Sequence, residues 1–474
     1  MGILRKAAGA AALAGLAMAG TAAAAPVFSV PVPKAIPGLA QHLAAGDVTG
    51  DGMPDLVALS AHGDDHDIIT LAGNGDGTFR RRASTRIGAE FSNGITTVDL
   101  NDDGKLDLLV DITPPGGGGN SQVALLNDGT GRFRSAGYVS PHENSYELAV
   151  ARFDGDAFPD VVSGDLAESL KFFKGLGNGT FAAPVLIRPG HPTQIIAGDL
   201  NSDGKPDLVM EEPVTSPGAS AMITVSLGHG VGTFAAETTV PGQPIATAFQ
   251  YFPNLAVGDI NGDDKQDIVV PATSGVVAAF GHGDGTFEPF TSIGGGTRFP
   301  VITGDINNDG IDDVIFNRAN RIVGILGGSF APLNITTSPG PHSFVVADFN
   351  RDSRTDIAFM TSMATSNPKI RSSALAVTLN ASNRPVIGGL VVPALVRRGA
   401  ATPISFVLTE AARVSMTVSR NGKVRSVLVP GTQGTNHKII GATKTLRVGA
   451  YVLGVRARNA RGTTRMIRAV FRVR

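Results

Sequence analysis

A nine-residue acidic motif recurs seven times in the chain and constrains its fold more than any other sequence feature. The motif has the form Asp-x-Asn-x-Asp-Gly-x-x-Asp and is followed by a short apolar run. Its copies begin at Asp47, Asp99, Arg152, Asp199, Asp259, Asp305 and Asp348, at spacings of 52, 53, 47, 60, 46 and 43 residues. Self-similarity at such a period indicates a repeat architecture in which each repeat is one supersecondary unit.

A second motif, a Gly-rich turn that ends in Phe, lies between the acidic copies. It is clearest at 73–79, and variants end at Phe133, Phe181, Phe234, Phe287 and Phe330. The last acidic copy, at Asp348, has no such turn after it. Phe28 precedes Asp47 by 19 residues, much as Phe79 precedes Asp99 by 20. We therefore predict that an N-terminal strand around residues 27–30 completes the last repeat and closes a ring.

Within each repeat the pattern is that of β-strands. Residues 55–59, 107–110 and 267–270 are continuous apolar runs rich in branched side chains, which predicts strands covered on both faces. Repeats of 43 to 60 residues accommodate about four strands, and β-propellers have roughly 4 to 8 blades of that size. A linear β-solenoid is the alternative, but its rungs are shorter and it needs no split repeat. The sequence predicts an all-β chain, with a seven-bladed β-propeller over residues 26–383 followed by a small β-sandwich.

The acidic motif itself predicts calcium binding. Positions 1, 3, 5 and 9 carry oxygen-bearing side chains and position 6 is usually Gly, whereas calcium prefers about 6 to 8 hard oxygen ligands in a tight loop. We expect several structural Ca²⁺ ions that staple the blade loops. The predicted ligands are Asp47, Thr49, Asp51, Asp55, Asp99, Asn101, Asp103, Asp107, Asp199, Asn201, Asp203, Asp207, Asp259, Asn261, Asp263, Asp267, Asp305, Asn307, Asp309, Asp313, Asp348, Asn350, Asp352 and Asp356.

The third copy departs from the motif, with Arg152 at position 1 and Ala157 at position 6. We predict that this loop binds no calcium, and that Arg152 either pairs with the loop's own carboxylates or points to solvent. The fifth copy has Asp264 in place of the Gly, a residue type that tolerates a left-handed backbone better than most. The alternative for all copies is a set of Asx-rich turns without metal; seven copies in phase favour calcium.

At these residues the sequence resembles the FG-GAP/VCBS repeat family, which includes the propeller of integrin α chains and many secreted bacterial proteins. Gly258–Asp263 and Gly281–Phe287 match the two recurring elements of the family, and the resemblance covers roughly residues 27–380. It implies a seven-bladed propeller, calcium in the blade loops and a ligand on a propeller face.

The two ends of the chain differ from the repeats. Arg5 and Lys6 followed by an Ala-rich apolar stretch predict an export signal over residues 1–25, so the protein is expected to be secreted, without a transmembrane segment. Residues 384–474 contain 17 Lys and Arg and one acid, Glu410. Given a net charge of −1 for the chain and +2 for the signal, residues 26–383 carry −19. Such a charge split indicates two domains.

The C-terminal segment is predicted to be a basic β-sandwich. Apolar residues alternate with Arg from 453 to 458 and from 467 to 474, the period-2 pattern of half-buried strands. The segment resembles the small immunoglobulin-like or fibronectin-like domains of exported actinobacterial proteins. Three roles are compatible with its positive charge. It binds an anionic cell-wall polymer, it docks on the acidic propeller, or its charge only keeps it soluble. Nucleic acid is not expected, because the chain has no Trp and Tyr451 is the only Tyr of this segment.

Signals of catalysis are weak. Without Cys the chain can have no thiol nucleophile or thiolate metal site. A cluster of His and Asp at 62–67 is the main exception, and it fits a solvated polar loop. We expect a monomeric extracellular adhesion or ligand-binding protein that recognises a protein or a polysaccharide, and not an enzyme. The alternative is a carbohydrate-active enzyme, a polysaccharide lyase or glycoside hydrolase on a propeller scaffold.

Overall fold

The computed structural model describes residues 26–380 with gaps in the connections, and the strands between residues 387 and 473. The gaps are 32–33, 37–38, 63–64, 88–90, 114–119, 141–147, 166–168, 191, 213–221, 243–254, 273–274, 296–297, 308, 319–320, 338–342, 353 and 364–371. The predicted export signal at 1–25 lies outside the described residues. No helix long and apolar enough to cross a membrane occurs in the part of the chain that the structure describes.

Seven four-stranded antiparallel sheets form the blades of a propeller, as predicted. The strands of the first half are β1 (Lys34–Ile36), β2 (Leu39–Gly46), β3 (Asp55–His62), β4 (Asp65–Gly73), β5 (Phe79–Arg86), β6 (Phe91–Val98), β7 (Asp107–Thr113), β8 (Ser121–Asn127), β9 (Phe133–Ser140), β10 (Leu148–Ala151), β11 (Asp160–Asp165), β12 (Ser169–Phe173) and β13 (Val185–Pro189). Blades 1, 2 and 3 are β2–β5, β6–β9 and β10–β13.

The second half repeats this arrangement. Its strands are β14 (Gln194–Gly198), β15 (Asp207–Glu212), β16 (Met222–Ser226), β17 (Thr238–Thr239), β18 (Ala256–Gly258), β19 (Asp267–Ala272), β20 (Gly275–Ala279), β21 (Thr291–Gly295), β22 (Arg298–Gly304), β23 (Asp313–Arg318), β24 (Arg321–Leu326), β25 (Ala331–Thr337), β26 (Ser343–Ala347), β27 (Asp356–Met363) and β28 (Ser372–Thr378). Blades 4, 5 and 6 are β14–β17, β18–β21 and β22–β25, and blade 7 consists of β26, β27, β28 and β1. First strands of neighbouring blades contact one another at six of the seven blade junctions, including β2 with β26, so they line the axis of a closed ring.

Both ends of the propeller sequence build blade 7, which confirms the predicted closure. The outermost strand is β1, and it pairs antiparallel with β28. The strand β1 begins four residues after the end of the strand predicted at 27–30. Within 27–30, Phe28 forms only a single β-bridge, with Asn380. The same bridge joins a turn-Phe to the end of the third strand in other blades, for example Phe181 to Gly175. Phe28 therefore takes the turn-Phe position that the last repeat lacks.

The core lies between blades, which explains the continuous apolar runs. Val57 and Ile68 of blade 1 pack in one cluster with Leu108 and Val110 of blade 2, and none of the four is exposed. Because the middle strands of each blade are covered on both sides, alternation of polar and apolar residues is absent from them.

The C-terminal segment is also all-β. Its strands are β29 (Ile387–Val391), β30 (Leu395–Val396), β31 (Thr402–Leu408), β32 (Ala412–Arg420), β33 (Lys423–Gly431), β34 (Gly434–Ile440), β35 (Gly449–Asn459), β36 (Gly462–Thr463) and β37 (Ile467–Val473). One sheet has the order β29-β31-β34, and the other has the order β30-β37-β35-β32-β33 with β36 beside β35. The immunoglobulin-like or fibronectin-like assignment and the boundary at 383/384 stay predictions.

Candidate metal centres

The seven acidic loops lie at one end of the propeller, which we call the loop face. Each connects the first strand of a blade to the second, as 47–54 connects β2 to β3. The Gly-rich turns that end in Phe connect the third strand to the fourth and therefore lie at the same end. We number the acidic loops 1 to 7 with their blades. The cluster at 62–67 belongs to the opposite end, where its residues 65–67 begin β4. His66 is 2% exposed, so the expectation of a solvated polar loop is wrong for this residue.

The Asp at position 1 accepts backbone hydrogen bonds in each of the six loops that have one. In loop 5, Asp259 Oδ1 accepts hydrogen bonds from the backbone N–H of Gly262 at 2.7 Å and of Asp263 at 3.1 Å. Its Oδ2 accepts one from the N–H of Asp264 at 2.7 Å. Asp264 adopts a φ of 62°, the left-handed conformation that Gly provides elsewhere, such as 78° at Gly104. The backbone thus wraps around the first carboxylate, as the motif predicted.

The Asp at position 9 is buried in all seven blades and joins the acidic loop to the end of the third strand. These residues are Asp55, Asp107, Asp160, Asp207, Asp267, Asp313 and Asp356, each 0% exposed. In blade 5, Asp267 Oδ2 accepts the N–H of Ile260 at 3.0 Å and Oδ1 accepts the N–H of Gly281 at 2.9 Å. The same pair of contacts recurs in the other blades, except that in loop 3 the donating loop N–H belongs to position 3, Asp154, instead of position 2. Position 9 therefore fixes the loop to the end of the third strand.

Burial raises the pKa of these position-9 carboxyl groups. Desolvation raises the pKa of Asp313 to about 7 and that of Asp356 to about 8, although backbone N–H donors act in the opposite direction. The carboxylates at positions 1 and 5 raise both values further, for example Asp305 and Asp309 in blade 6. A buried anion beside other anions is the electrostatic setting that a bound cation relieves.

Loop 3 holds a cation of its own. Lys174 Nζ is 2.7 Å from Asp156 Oδ2 and also contacts Asp154 Oδ2. Oxygen atoms of Asp154, Asp156 and Asp160 all lie within 4.8 Å of one another, the one such carboxylate cluster among the described residues. The ammonium group offsets the mutual repulsion of the two carboxylates that it contacts.

Lys174 is the last residue before the bridge at Gly175, and its counterparts in the other blades are apolar. They are Ala72, Leu126, Leu227, Phe280, Leu326 and Leu379. Arg152 does not pair with the carboxylates of its own loop; it lies 3.7 Å from Asp102 of the neighbouring loop, with 57% of its side chain exposed. Of the two alternatives for Arg152, pairing with the carboxylates of its own loop is wrong, and the sequence analysis missed Lys174.

Loop 3 also differs in backbone. Loops 1, 2, 4 and 5 have left-handed residues at both positions 4 and 6, such as Gly50 and Gly52. In loop 3 only Gly155 at position 4 is left-handed, and Ala157 is not. Its donor set and its backbone both depart from the other loops, yet its three Asp carboxylates lie close enough to share a metal ion. That loop 3 binds no calcium stays a prediction.

Position 7 carries a second basic feature that the sequence analysis missed. In loops 2, 4 and 5, a Lys at position 7 approaches the Asp at position 5, with Lys105 Nζ 2.9 Å from Asp103 Oδ2. In loop 7, Arg354 lies 3.3 Å from Asp352, and both side chains are 14% exposed. Loops 1 and 6 have Met53 and Ile311 there instead. The predicted ligands at positions 1, 3 and 5 thus differ from loop to loop in the amount of local positive charge.

Comparison with known proteins agrees with the repeat assignment. Residues 38–110, 152–210 and 259–316 match the family model of the FG-GAP-like repeat. No curated protein matches the chain. Among solved structures, the BP39L lectin from Burkholderia pseudomallei has a TM-score of 0.52 at 13% identity, covering 72% of this chain and 96% of the lectin. At that identity the likeness concerns the fold alone.

Two other solved structures resemble the chain less closely in shape. An Agrocybe aegerita lectin that recognises non-reducing terminal N-acetylglucosamine has a TM-score of 0.48 at 17% identity, covering 67% of this chain and 85% of the lectin. The α-L-arabinofuranosidase Arb93A of Fusarium graminearum, in complex with an iminosugar inhibitor, has a TM-score of 0.45 at 10% identity, covering 76% and 98%.

Proposed function

We propose that this seven-bladed propeller with FG-GAP-like repeats is a secreted, extracellular ligand-binding or adhesion protein whose acidic loops hold structural calcium. The observation that carries the proposal is the repeated loop geometry. In every blade a buried Asp at position 9 joins the acidic loop to the third strand, and six of the seven loops add oxygen donors at positions 1, 3 and 5.

The donor set fits calcium rather than a softer metal. The candidate ligands are carboxylates, Asn amides and one Thr hydroxyl, and no His or Cys belongs to the six loops. Asp, Asn and Thr oxygens of positions 1, 3, 5 and 9 would hold the ion in each loop. When bound, calcium supplies positive charge to the propeller segment, whose formal net charge is −19, and it links the carboxylates of one loop.

Loops 1 and 6 fit an ion best. Met53 and Ile311 at position 7 leave Asp51 and Asp309 without the local Lys or Arg that loops 2, 4, 5 and 7 provide. Loop 7 fits least well, because Arg354 and its partner Asp352 are both mostly buried. In the loops with Lys at position 7, that side chain is 39% to 45% exposed and can turn to solvent when an ion binds.

The axis of the propeller supports binding over catalysis. The seven described first strands line this axis, and they contain no Asp or Glu. Hydrolysis of a glycosidic bond generally needs a pair of carboxyl groups that flank the bond. The carboxylates of the loop face are instead engaged by backbone N–H groups.

We place the ligand on the face opposite the acidic loops. There the connection between the second and third strands ranges from two residues in blade 6 to nine in blade 4. The loop face, by contrast, repeats nearly the same connections in each blade. Variable connections on a rigid scaffold are typical of binding surfaces. A protein or polysaccharide ligand fits such a surface.

The test is to pass the full chain, with calcium, over immobilised polysaccharides, cell-wall polymers and extracellular proteins, and to measure retention and released sugar together. Retention without released sugar is the expected result, and repeating the assay with EDTA shows whether it depends on the loops. Released sugar would contradict the proposal and favour the alternative, a carbohydrate-active enzyme. The export signal is tested separately, by N-terminal sequencing of the protein from culture medium.

A further inference from the structure

The outer wall of blades 1 and 2 carries a group of six exposed arginines, which we call the arginine patch. It comprises Arg80, Arg81, Arg82, Arg86, Arg132 and Arg134. The two blades meet here, because Phe133 N–H donates to Thr85 Oγ1 at 3.3 Å. Arg132 and Arg134 flank Phe133, and Arg86 follows Thr85, so the patch is continuous across the two blades.

A β-bulge explains how three consecutive arginines are exposed in one strand. In β5, Arg81 pairs with Leu71 and Ala83 pairs with Thr70, so Arg82 is the additional residue of the bulge. A bulge interrupts the alternation of side chains and redirects one of them. Phe79 and Ala83 still reach the core at 6% and 8% exposure, while residues 80–82 all face solvent.

The fold does not require these arginines. The other five turn-Phe residues, from Phe133 to Phe330, are each followed by a corresponding triplet. Those triplets are Arg-Ser-Ala, Ala-Ala-Pro, Ala-Ala-Glu, Glu-Pro-Phe and Ala-Pro-Leu. Only one of their fifteen residues is basic, so the Arg triplet is particular to blade 1.

Four of the six arginines also lack a compensating charge within the part of the chain that the structure describes. Arg80, Arg81, Arg82 and Arg134 have no ion-pair partner among the described residues. Arg132 lies near a carboxylate, since its charge adds to the hydrogen bond from Thr130 in lowering the pKa of Asp128. Close like charges repel each other. The arginine patch is a local concentration of positive charge in a propeller segment whose formal net charge is −19. An external polyanion would relieve that repulsion.

We propose that the arginine patch binds an acidic polysaccharide through its carboxylate or sulfate groups. Guanidinium groups match such oxyanions with paired hydrogen bonds. Arg80, Arg81 and Arg82 are all exposed, so they present adjacent donors to a repeating polymer. The site lies on the outer wall and does not depend on calcium in the acidic loops.

Aromatic residues near the patch favour a polysaccharide over single-stranded nucleic acid. Phe79 and Phe133 are buried, and the one exposed ring of β5 and β9 is Tyr138, at 48%. Nucleic-acid grooves stack successive bases on several aromatic rings. One ring beside a row of arginines provides no such series.

The experiment measures binding of the full chain to chondroitin sulfate, which carries both uronate and sulfate groups, at low and high ionic strength. Neutral dextran and an oligothymidylate are the comparison probes. R81S/R82S should lose about tenfold in affinity, equivalent to roughly 1.4 kcal/mol. The matched control R318S/R321S removes two exposed arginines of blade 6 and should bind like the unmodified protein. Both variants are checked for an unchanged thermal unfolding midpoint.

Each other outcome overturns the proposal. Equal binding by R81S/R82S and the unmodified protein would assign any polyanion binding to the basic C-terminal segment. Equal losses in both variants would show an effect of net charge alone. Tighter binding of oligothymidylate than of chondroitin sulfate would identify a nucleic-acid surface.

Discussion

Lys174 Nζ lies 2.7 Å from Oδ2 of Asp156, in the one acidic loop whose first position is basic. The same ammonium group contacts Asp154. The contacts raise the pKa of Lys174, so this residue carries its positive charge throughout the physiological pH range. Blade 3 therefore has a covalently attached cation at the position where we propose calcium in the other blades.

Replacing Lys174 should destabilise blade 3. K174M leaves Asp154 and Asp156 close together without their cation, so we expect a lower thermal unfolding midpoint. The matched control is K205M, which removes an exposed Lys that contacts one carboxylate, Asp203, at 3.1 Å. Differential scanning calorimetry in EDTA compares the two, and a K174M midpoint no lower than that of K205M would contradict the role of Lys174.

Restoring the motif in loop 3 should create one additional metal site. The variant R152D/A157G/K174L supplies the Asp at position 1, the Gly at position 6 and the Leu that blades 2, 4, 6 and 7 have in place of Lys174. We expect one more bound calcium per chain, counted by native mass spectrometry. An unchanged stoichiometry would show that loop 3 lacks more than these three residues.

Without calcium, the protein should become less stable as the pH rises. Asp313 and Asp356 have pKa values of about 7 and about 8 in the fold, against about 3.9 in the unfolded chain. The folded state thus binds protons more tightly, and this stabilisation is complete below the unfolded pKa and is lost as the pH rises through the folded values. In EDTA the unfolding midpoint should fall by several degrees between about pH 5 and pH 8.

The calcium-loaded protein is the control for this pH dependence. The ion binds the ionised carboxylates, so the midpoint should stay level or rise over the same interval. A midpoint in EDTA that rises with pH would contradict the raised pKa values of the position-9 carboxyl groups.

Asp264 should be a source of conformational strain in loop 5. Its φ of 62° is left-handed, so D264G should stabilise the protein by about 1 kcal/mol, the lower end of the cost that such a backbone has for a residue other than Gly. The converse change G310D, at a φ of 87° with no atom within 4 Å of an added Cβ, should destabilise it by a similar amount. Urea unfolding measures the change in the free energy of unfolding for both variants. A change of the same sign in both would refute the explanation by backbone strain.

The sequence predicted the architecture because the repeat spacing carries it. Seven copies of the motif fixed the number of blades, and the position of Phe28 relative to Asp47 identified the split blade, which the bridge to Asn380 confirms. The closing strand was predicted at 27–30, but it is β1. The sequence does not distinguish Phe28, which forms a single bridge, from a residue inside a strand.

Features that depend on packing could not be predicted. Lys174 is 18 residues from Asp156 along the chain, and only the antiparallel pairing of β11 with β12 brings them together. A comparison of the seven repeats would have singled out Lys174, because the equivalent residues of all other blades are apolar. The exposure of Arg82 likewise follows from a bulge in β5 that no local residue pattern marks.

Thermal unfolding with calcium and with EDTA tests the central claim most directly. One site at a hundredfold excess of calcium over its Kd contributes about 2.7 kcal/mol to the free energy of unfolding, so several such sites should lower the midpoint in EDTA by about 10 °C or more. Adding calcium back should restore the midpoint, whereas magnesium should restore less. An unfolding midpoint that is the same with calcium and with EDTA would contradict the proposal that these loops are stapled by metal.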